Sequence, residues 1–330
     1  DPFIGQRIDG RFKVELFLGA GSVGSVYRAK DLQTGGQVAI KIWSHAAHDE
    51  QTRGRFAREA RALTTLRHPN IVAVQGYGAV DELPYVAMEF LDGEPLEACL
   101  KEGQPLPTGL AYDVITQILQ ALSYAHGLGV VHRDLKPDNV LLLAGAREQR
   151  VVKLLDFGLA KFLSPEDDPI QGATLTMHGM VMGTPLYMAP EQAAGRSVDA
   201  RVDVYAAGCV LFEMLAGRPP FLGESNAEIF RAHMTAPVPN LSEIRTDVRV
   251  APGLQEWFER ALAKLPEDRF AHAGQMLEAL LELPTAILRP PSMLPPVATE
   301  KARPSDRFRL LLAVITGLCT AAALAYALLY

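Results

Sequence analysis

From Phe12 the apolar positions Phe12, Val14, Leu16 and Leu18 alternate with polar ones, the period of a half-buried strand. A glycine cluster at Gly19, Gly21 and Gly24 follows. Val26 and Ala29 then lead through a Thr34-Gly35-Gly36 turn into Val38-Ala39-Ile40-Lys41-Ile42. The pattern predicts a strand pair extended by a third strand. Over 51–67 the period changes: Phe56, Ala60, Leu63 and Leu66 recur at helical spacing, with Arg and Glu on the other faces, until His68-Pro69-Asn70 stops the helix. Further strands are predicted over 71–76 and 85–90, and Asp92-Gly93 breaks the pattern. After Pro107 the patterns are long and helical, as in Leu110, Ala111, Val114, Ile115, Ile118, Leu119 and Leu122, and again over 199–215 and 254–264. A small β-rich lobe, a larger helical lobe and a cleft between them are expected, an α+β class with no internal repeat.

The end of the chain has a different character. Residues 283–309 carry the prolines Pro284, Pro290, Pro291, Pro295, Pro296 and Pro304 and read as an extended linker. Lys301, Arg303, Arg307 and Arg309 precede an uncharged apolar run of 21 residues, 310–330. As a helix that run spans about 31 Å, the thickness of a bilayer's hydrocarbon core. A transmembrane helix is expected, with the basic cluster holding the preceding lobes on the cytoplasmic side; a buried packing helix is the alternative. The chain opens on Asp1 without an initiator Met and stops within this run, so a longer protein is expected.

Composition narrows the function. Apolar residues at 48% and charged residues at 21% are those of a globular chain, and a net charge of −6 disfavours bulk nucleic-acid binding. Cys99, Cys209 and Cys319 stand far apart, which argues against both a disulfide framework and a zinc site.

Gly19-Ala20-Gly21-Ser22-Val23-Gly24 is a G-x-G-x-x-G string, weak by itself because an ordinary glycine-rich turn reads as well. Strand pattern continues after it where a dinucleotide fingerprint would open a helix, so a hairpin over a nucleotide's phosphates fits better. Lys41 ends an apolar strand and Glu59 on the next helix offers it a partner, although either could be a plain solvated charge. His132-Arg133-Asp134-Leu135-Lys136-Pro137-Asp138-Asn139 is the densest polar string, set between Gly129-Val130-Val131 and Val140-Leu141-Leu142-Leu143, both read as strands. A loop so placed can hold a carboxylate base, a phosphate-binding lysine and a metal-ligating amide. Asp156-Phe157-Gly158 follows another apolar strand and supplies a second oxygen ligand for a hard cation. Residues 156–191 form a long polar segment closing on Gly183-Thr184-Pro185-Leu186-Tyr187-Met188-Ala189-Pro190-Glu191.

With these strings in this order, the sequence resembles a eukaryotic-like serine/threonine protein kinase of the membrane-anchored bacterial type, over residues 10–282. The resemblance implies a bilobal kinase fold, with a small lobe over 10–91 and a large lobe over 92–282. It implies ATP and Mg²⁺, or Mn²⁺, as cofactors. Leu18, Gly19, Gly21, Gly24, Val26, Ala39, Lys41, Met88, Glu89, Leu91 and Leu141 would line the ATP site, with Met88 as gatekeeper and the backbone of Glu89 and Leu91 gripping adenine. Asp134 would take the substrate proton, Lys136 would neutralise the γ-phosphate, Asn139 and Asp156 would hold metal, and Glu59 would pair with Lys41 when its helix swings in. Structural roles are implied for His132 and Phe157 in a spine with Leu63 and Val74, for Thr184 against Asp134 and Lys136, for Asp203 bracing the catalytic loop, and for Glu191 paired with Arg269.

The same resemblance implies phosphorylation of Thr174 or Thr176, gripped by Arg133 and Lys161, as an activating step. It further implies protein substrates with Ser or Thr acceptors, a possible homodimer, and a single-pass location in the cell inner or plasma membrane. A pseudokinase scaffold and a small-molecule phosphotransferase are the competing readings; the complete set of Lys41, Asp134, Asn139 and Asp156 speaks against the first, and the long segment ending in Ala189-Pro190-Glu191 against the second.

Overall fold

A computed structural model describes residues 1–21, 24–44, 50–100, 103–145, 150–157, 185–247 and 250–284. Six antiparallel strands form the first sheet: β1 (Arg7–Ile8), β2 (Phe12–Gly21), β3 (Gly24–Asp31), β4 (Gln37–Trp43), β5 (Val74–Val80) and β6 (Leu83–Glu89), in the order β1-β2-β3-β4-β6-β5. Helix α1 (Glu50–Leu63) intervenes between β4 and β5. Residues ahead of 10 join this lobe: Ile8 is buried in its core, and Phe3 packs edge-on against Tyr27 with ring centroids 5.7 Å apart.

Local departures from the sequence pattern have local causes. Leu16, expected inward, is exposed, because β2 shifts register between Val14 and Leu16 and again between Phe17 and Gly19. Helix α1 stops at Leu63, where the Thr64 and Thr65 hydroxyls donate back to the Arg61 and Ala62 carbonyls. β5 starts at Val74 rather than at Ile71, because residues 70–73 are tied to a different sheet.

That second sheet has the order β7-β8-β9, from β7 (Glu94–Pro95), β8 (Val140–Ala144) and β9 (Arg150–Leu154). Around it lie α2 (Leu96–Cys99), α3 (Thr108–Gly127), α4 (Pro190–Ala193), α5 (Arg201–Ala216), α6 (Asn226–Thr235), α7 (Leu241–Ile244), α8 (Leu254–Ala261) and α9 (Ala273–Leu281). α5 is apolar on almost every face and buried nearly throughout, so it sits at the centre of the lobe. It ends at Gly217, whose φ of 76° suits glycine and whose Cβ would lie 2.9 Å from the Gly103 backbone. Residues 129–131 are not the predicted strand. They close α3, the Val130 N–H donating to the Ala125 carbonyl.

Two cores result. One fills the first sheet with Phe12, Tyr27, Ile40 and Tyr85; the larger runs from Phe56 and Leu63 through Phe157 into α3 and α5. Among the described residues no helix is long and apolar enough to cross a membrane, and the expected span over 310–330 lies outside them.

Candidate active site

The polar loop before β8 is held from below by one buried acid. Asp203, in the first turn of α5 and 1% exposed, accepts from the backbone N–H groups of His132 (2.7 Å) and Arg133 (2.8 Å) and bonds His126 Nε2 (2.9 Å). Burial opposes its ionised form, but the His126 bond and the other donors hold its pKa below the usual carboxylate range. Arg133 is thereby kept at a φ of 65°, a conformation that non-glycine residues rarely adopt. Past this bend the chain makes a short 3₁₀ turn, Pro137–Asn139. Asn139 Nδ2 donates to the Asp134 carbonyl (2.7 Å) and to Asp134 Oδ2 (3.1 Å), while Lys136 Nζ lies 3.2 Å from the same carboxylate. Burial opposes the Lys136 charge, yet Asp134 and Asp138 raise its pKa, so it stays an ammonium. Asp134 keeps 44% of its side chain exposed, which leaves it open to an incoming hydroxyl.

Beyond β9 a second carboxylate faces this loop. The Leu155 N–H donates to the Asn139 carbonyl (2.9 Å), and Asp156, at a φ of 50°, then turns its Oδ2 to within 2.7 Å of Lys41 Nζ. Burial alone would raise the Asp156 pKa; the Lys41 ammonium outweighs it and holds the carboxyl below its ordinary value. Phe157 packs on the His132 ring at 4.5 Å between centroids. His132 is wholly buried and burial lowers its pKa, so it is neutral and serves packing rather than proton transfer. Leu63, Val74, Met88 and Phe157 line one small apolar cavity of about 20 Å³.

The carboxylate of Asp156 and the amide oxygen of Asn139 are hard donors, the set a Mg²⁺ or Mn²⁺ ion takes, usually with water and phosphate oxygens completing its shell. Asn139 commits its amide nitrogen to Asp134, which leaves the oxygen for a cation. The residues therefore fit the metal that the resemblance implies.

Strand register builds the opposite wall. Gly19 pairs with Val26, Val26 with Lys41 and Ala39 with Met88. Val26, Ala39, Lys41 and Met88 thus fall on one face of the sheet. Leu18, next to Gly19 on β2, is buried, Glu89 ends β6, Leu91 lies two residues on, and Leu141 lies on β8. A Cβ on Gly21 would meet the Gly24 carbonyl oxygen at an ordinary 4.0 Å, whereas a Cβ on Gly24 would stand 2.3 Å from the Ile42 carbonyl oxygen. Close approach of β4 is therefore enough to demand glycine at 24.

Farther out, Arg269 and Glu191 form a buried two-point ion pair at 2.6 and 2.8 Å. The remaining guanidinium N–H groups go to the carbonyls of Ala263, Arg201 and Lys264.

A sequence profile for the protein kinase domain matches residues 12–281. The chain belongs to the protein kinase family. It is 40% identical over 275 residues to the serine/threonine-protein kinase pkn3 of Myxococcus xanthus, covering 83% of this chain and 50% of that one. With the serine/threonine-protein kinase PknB of Mycolicibacterium smegmatis it shares 36% over 284 residues, 84% of this chain and 44% of the relative. The chain thus spans about half the length of these relatives, or less. Among solved structures, Rad53 1-466 in complex with AMP-PNP superposes with a TM-score of 0.63 at 26% identity, covering 82% of this chain and 65% of that one.

In this member of the protein kinase family Asp134, Lys136 and Asn139 come together, as do Asp156 and Lys41. Glu59 does not. Lys41 bonds Asp156, and Glu59 makes no ion pair among the described residues. Lys41 already has a carboxylate at 2.7 Å, so the helix acid is left without it. Thr174, Thr176, Lys161 and Thr184 lie outside the described residues.

Several site residues escaped the sequence reading. His126 is the third partner of Asp203 and lies in no string that the sequence singled out; Tyr187 stands within the string 183–191, but nothing along the chain points to its partner, Glu213, to which its hydroxyl donates at 2.6 Å. Lys153 could have been found, since a lone cation in the apolar run Val151-Val152-Lys153-Leu154-Leu155 repeats the signal that singled out Lys41.

Proposed function

We propose that this chain is an ATP-dependent serine/threonine protein kinase acting on protein substrates. The observation that carries this reading is the grouping of Asp134 with Lys136 and Asn139, joined through Leu155 to Asp156 on Lys41. Asp134 accepts the proton of a Ser or Thr hydroxyl as that oxygen bonds the γ-phosphorus and the bond to the ADP oxygen breaks. Lys136 and Lys41 neutralise the phosphates; Asn139 and Asp156 would hold Mg²⁺, which would supply further positive charge to the transferring group. Leu18, Gly19, Gly21, Gly24, Val26, Ala39, Met88 and Leu141 enclose the nucleotide, and the backbone of Glu89 and Leu91 grips adenine. Asp134→Asn removes the proton acceptor while keeping shape. Phosphate transfer to a protein acceptor should then fall by a factor of about 10² or more, with Mg²⁺-ADP binding retained. Retained turnover overturns the assignment.

The Lys41–Asp156 pair, with Glu59 in no ion pair among the described residues, supports a resting arrangement that phosphorylation of Thr174 or Thr176 relieves, Arg133 and Lys161 gripping the new charge. The uncharged run over 310–330 supports a single-pass anchor, and the basic cluster before it supports a cytoplasmic placement of the kinase on a bacterial membrane. A homodimer as the route to autophosphorylation rests on the family resemblance alone.

A further inference from the structure

A second ion pair joins the two ends of the nucleotide site. The Glu89 N–H donates to the Ala73 carbonyl (2.9 Å), and the Ala73 N–H donates to Glu89 Oε1 (2.9 Å). That same oxygen accepts from Lys153 Nζ at 2.6 Å. The two side chains are 26% and 14% exposed, so the pair is largely shielded from water and salt. Lys153 lies on β9, directly across from Leu141 on β8 and three residues before Asp156. Residues 70–73 are stitched to the same strand: Val72 N donates to the Leu154 carbonyl, Leu154 N to the Asn70 carbonyl, and Asn70 Nδ2 to the Val152 carbonyl and to Gln117. The end of β6, residues 70–73 and β9 are therefore one bonded block. One end of it carries the backbone assigned to adenine and the other the carboxylate assigned to metal.

From this we infer that Lys153 is a positioning residue for the nucleotide: bonded to Glu89, it fixes the separation between the adenine-gripping backbone of 89–91 and Asp156. The inference rests on the nucleotide reading given under Proposed function. A bound nucleotide spans both ends, so a gap set in advance spares binding the cost of ordering them. Once the nucleotide is bound it bridges the gap itself, so the effect falls on binding more than on phosphate transfer.

The test uses the full chain, titrated with Mg²⁺-ADP by calorimetry and assayed for KM(ATP) and kcat with a protein acceptor. Lys153→Met, which keeps length and loses charge, should weaken ADP binding and raise KM about tenfold, the loss of one charge-assisted bond, with a smaller change in kcat. Lys153→Arg should restore most of it, and Glu89→Gln should reproduce the Met variant without further loss when the two are combined. Glu89→Gln also tests the pair should Lys153→Met fail to fold. Unchanged ADP binding in Lys153→Met or Glu89→Gln, a fall in kcat at constant KM, or an Arg variant as weak as Met overturns the inference alone. A wild-type chain that binds no Mg²⁺-ADP removes the nucleotide reading and this inference with it.

Discussion

Arg269 spends every guanidinium N–H on an acceptor, two on the buried Glu191 and three on backbone carbonyls, and its charge lies 4.8 Å from the centre of the Tyr205 ring. No other side chain has that planar fork of donors. Arg269→Lys leaves the buried Glu191 carboxylate and several carbonyls without partners, and is expected to destabilise the large lobe by about 3 kcal/mol or more. For a domain of this size that is a fall in melting temperature of roughly 6–12 °C. Thermal unfolding followed by circular dichroism measures it; a shift within experimental error would mean that the pair is not supporting the lobe. The pairing itself could be read from Glu191 and Arg269 in their strings, but the three carbonyls depend on where α5 and the 263–264 turn meet.

Among the elements, the short helix α2 creates a problem that no string announces. It brings Glu97 beside the Pro137–Asn139 turn, with Oε2 buried and unbonded among the described residues. Burial, with the Asp138 and Glu213 carboxylates nearby, pushes the Glu97 pKa up to about 7. A carboxyl with a raised folded-state pKa holds its proton more tightly when folded, so stability is greatest at low pH and is lost as pH rises from the ordinary range toward 7. Glu97→Gln removes that loss. Its melting temperature should exceed wild type at pH 8 and differ little at pH 5, and an equal gain at both pH values would rule out the charge as the cause. The strands show the same division on a larger scale. Alternation locates β2, but only the bulges within it explain why Leu16 faces out.

At the level of the whole molecule, the described kinase lobes end at residue 284, and the apolar run begins at 310. If that run anchors the protein, the full chain should co-sediment with phospholipid vesicles and be released by detergent, while a chain ending at 284 should remain in the supernatant with its nucleotide binding intact. Full-length protein in the supernatant without detergent would overturn the anchor. The two lobes also depend on one another, since the larger core passes from α1 through Phe157 into α3 and α5.

By itself the sequence determined the family, the order of the lobes and the short strings that hold the proposed site residues, because phosphoryl transfer needs given side chains at fixed separations. Asp134, Lys136 and Asn139 are five residues apart or fewer, and a local turn suffices to group them. Only the tertiary structure decided which partner each charge takes. Lys41 reaches Asp156, 115 residues away, rather than Glu59, and Lys153 reaches Glu89, 64 residues away. Such pairs are set by how strands from two sheets approach across the cleft, and a competition between two acids for one ammonium is settled by distance and burial, which no spacing along the chain encodes.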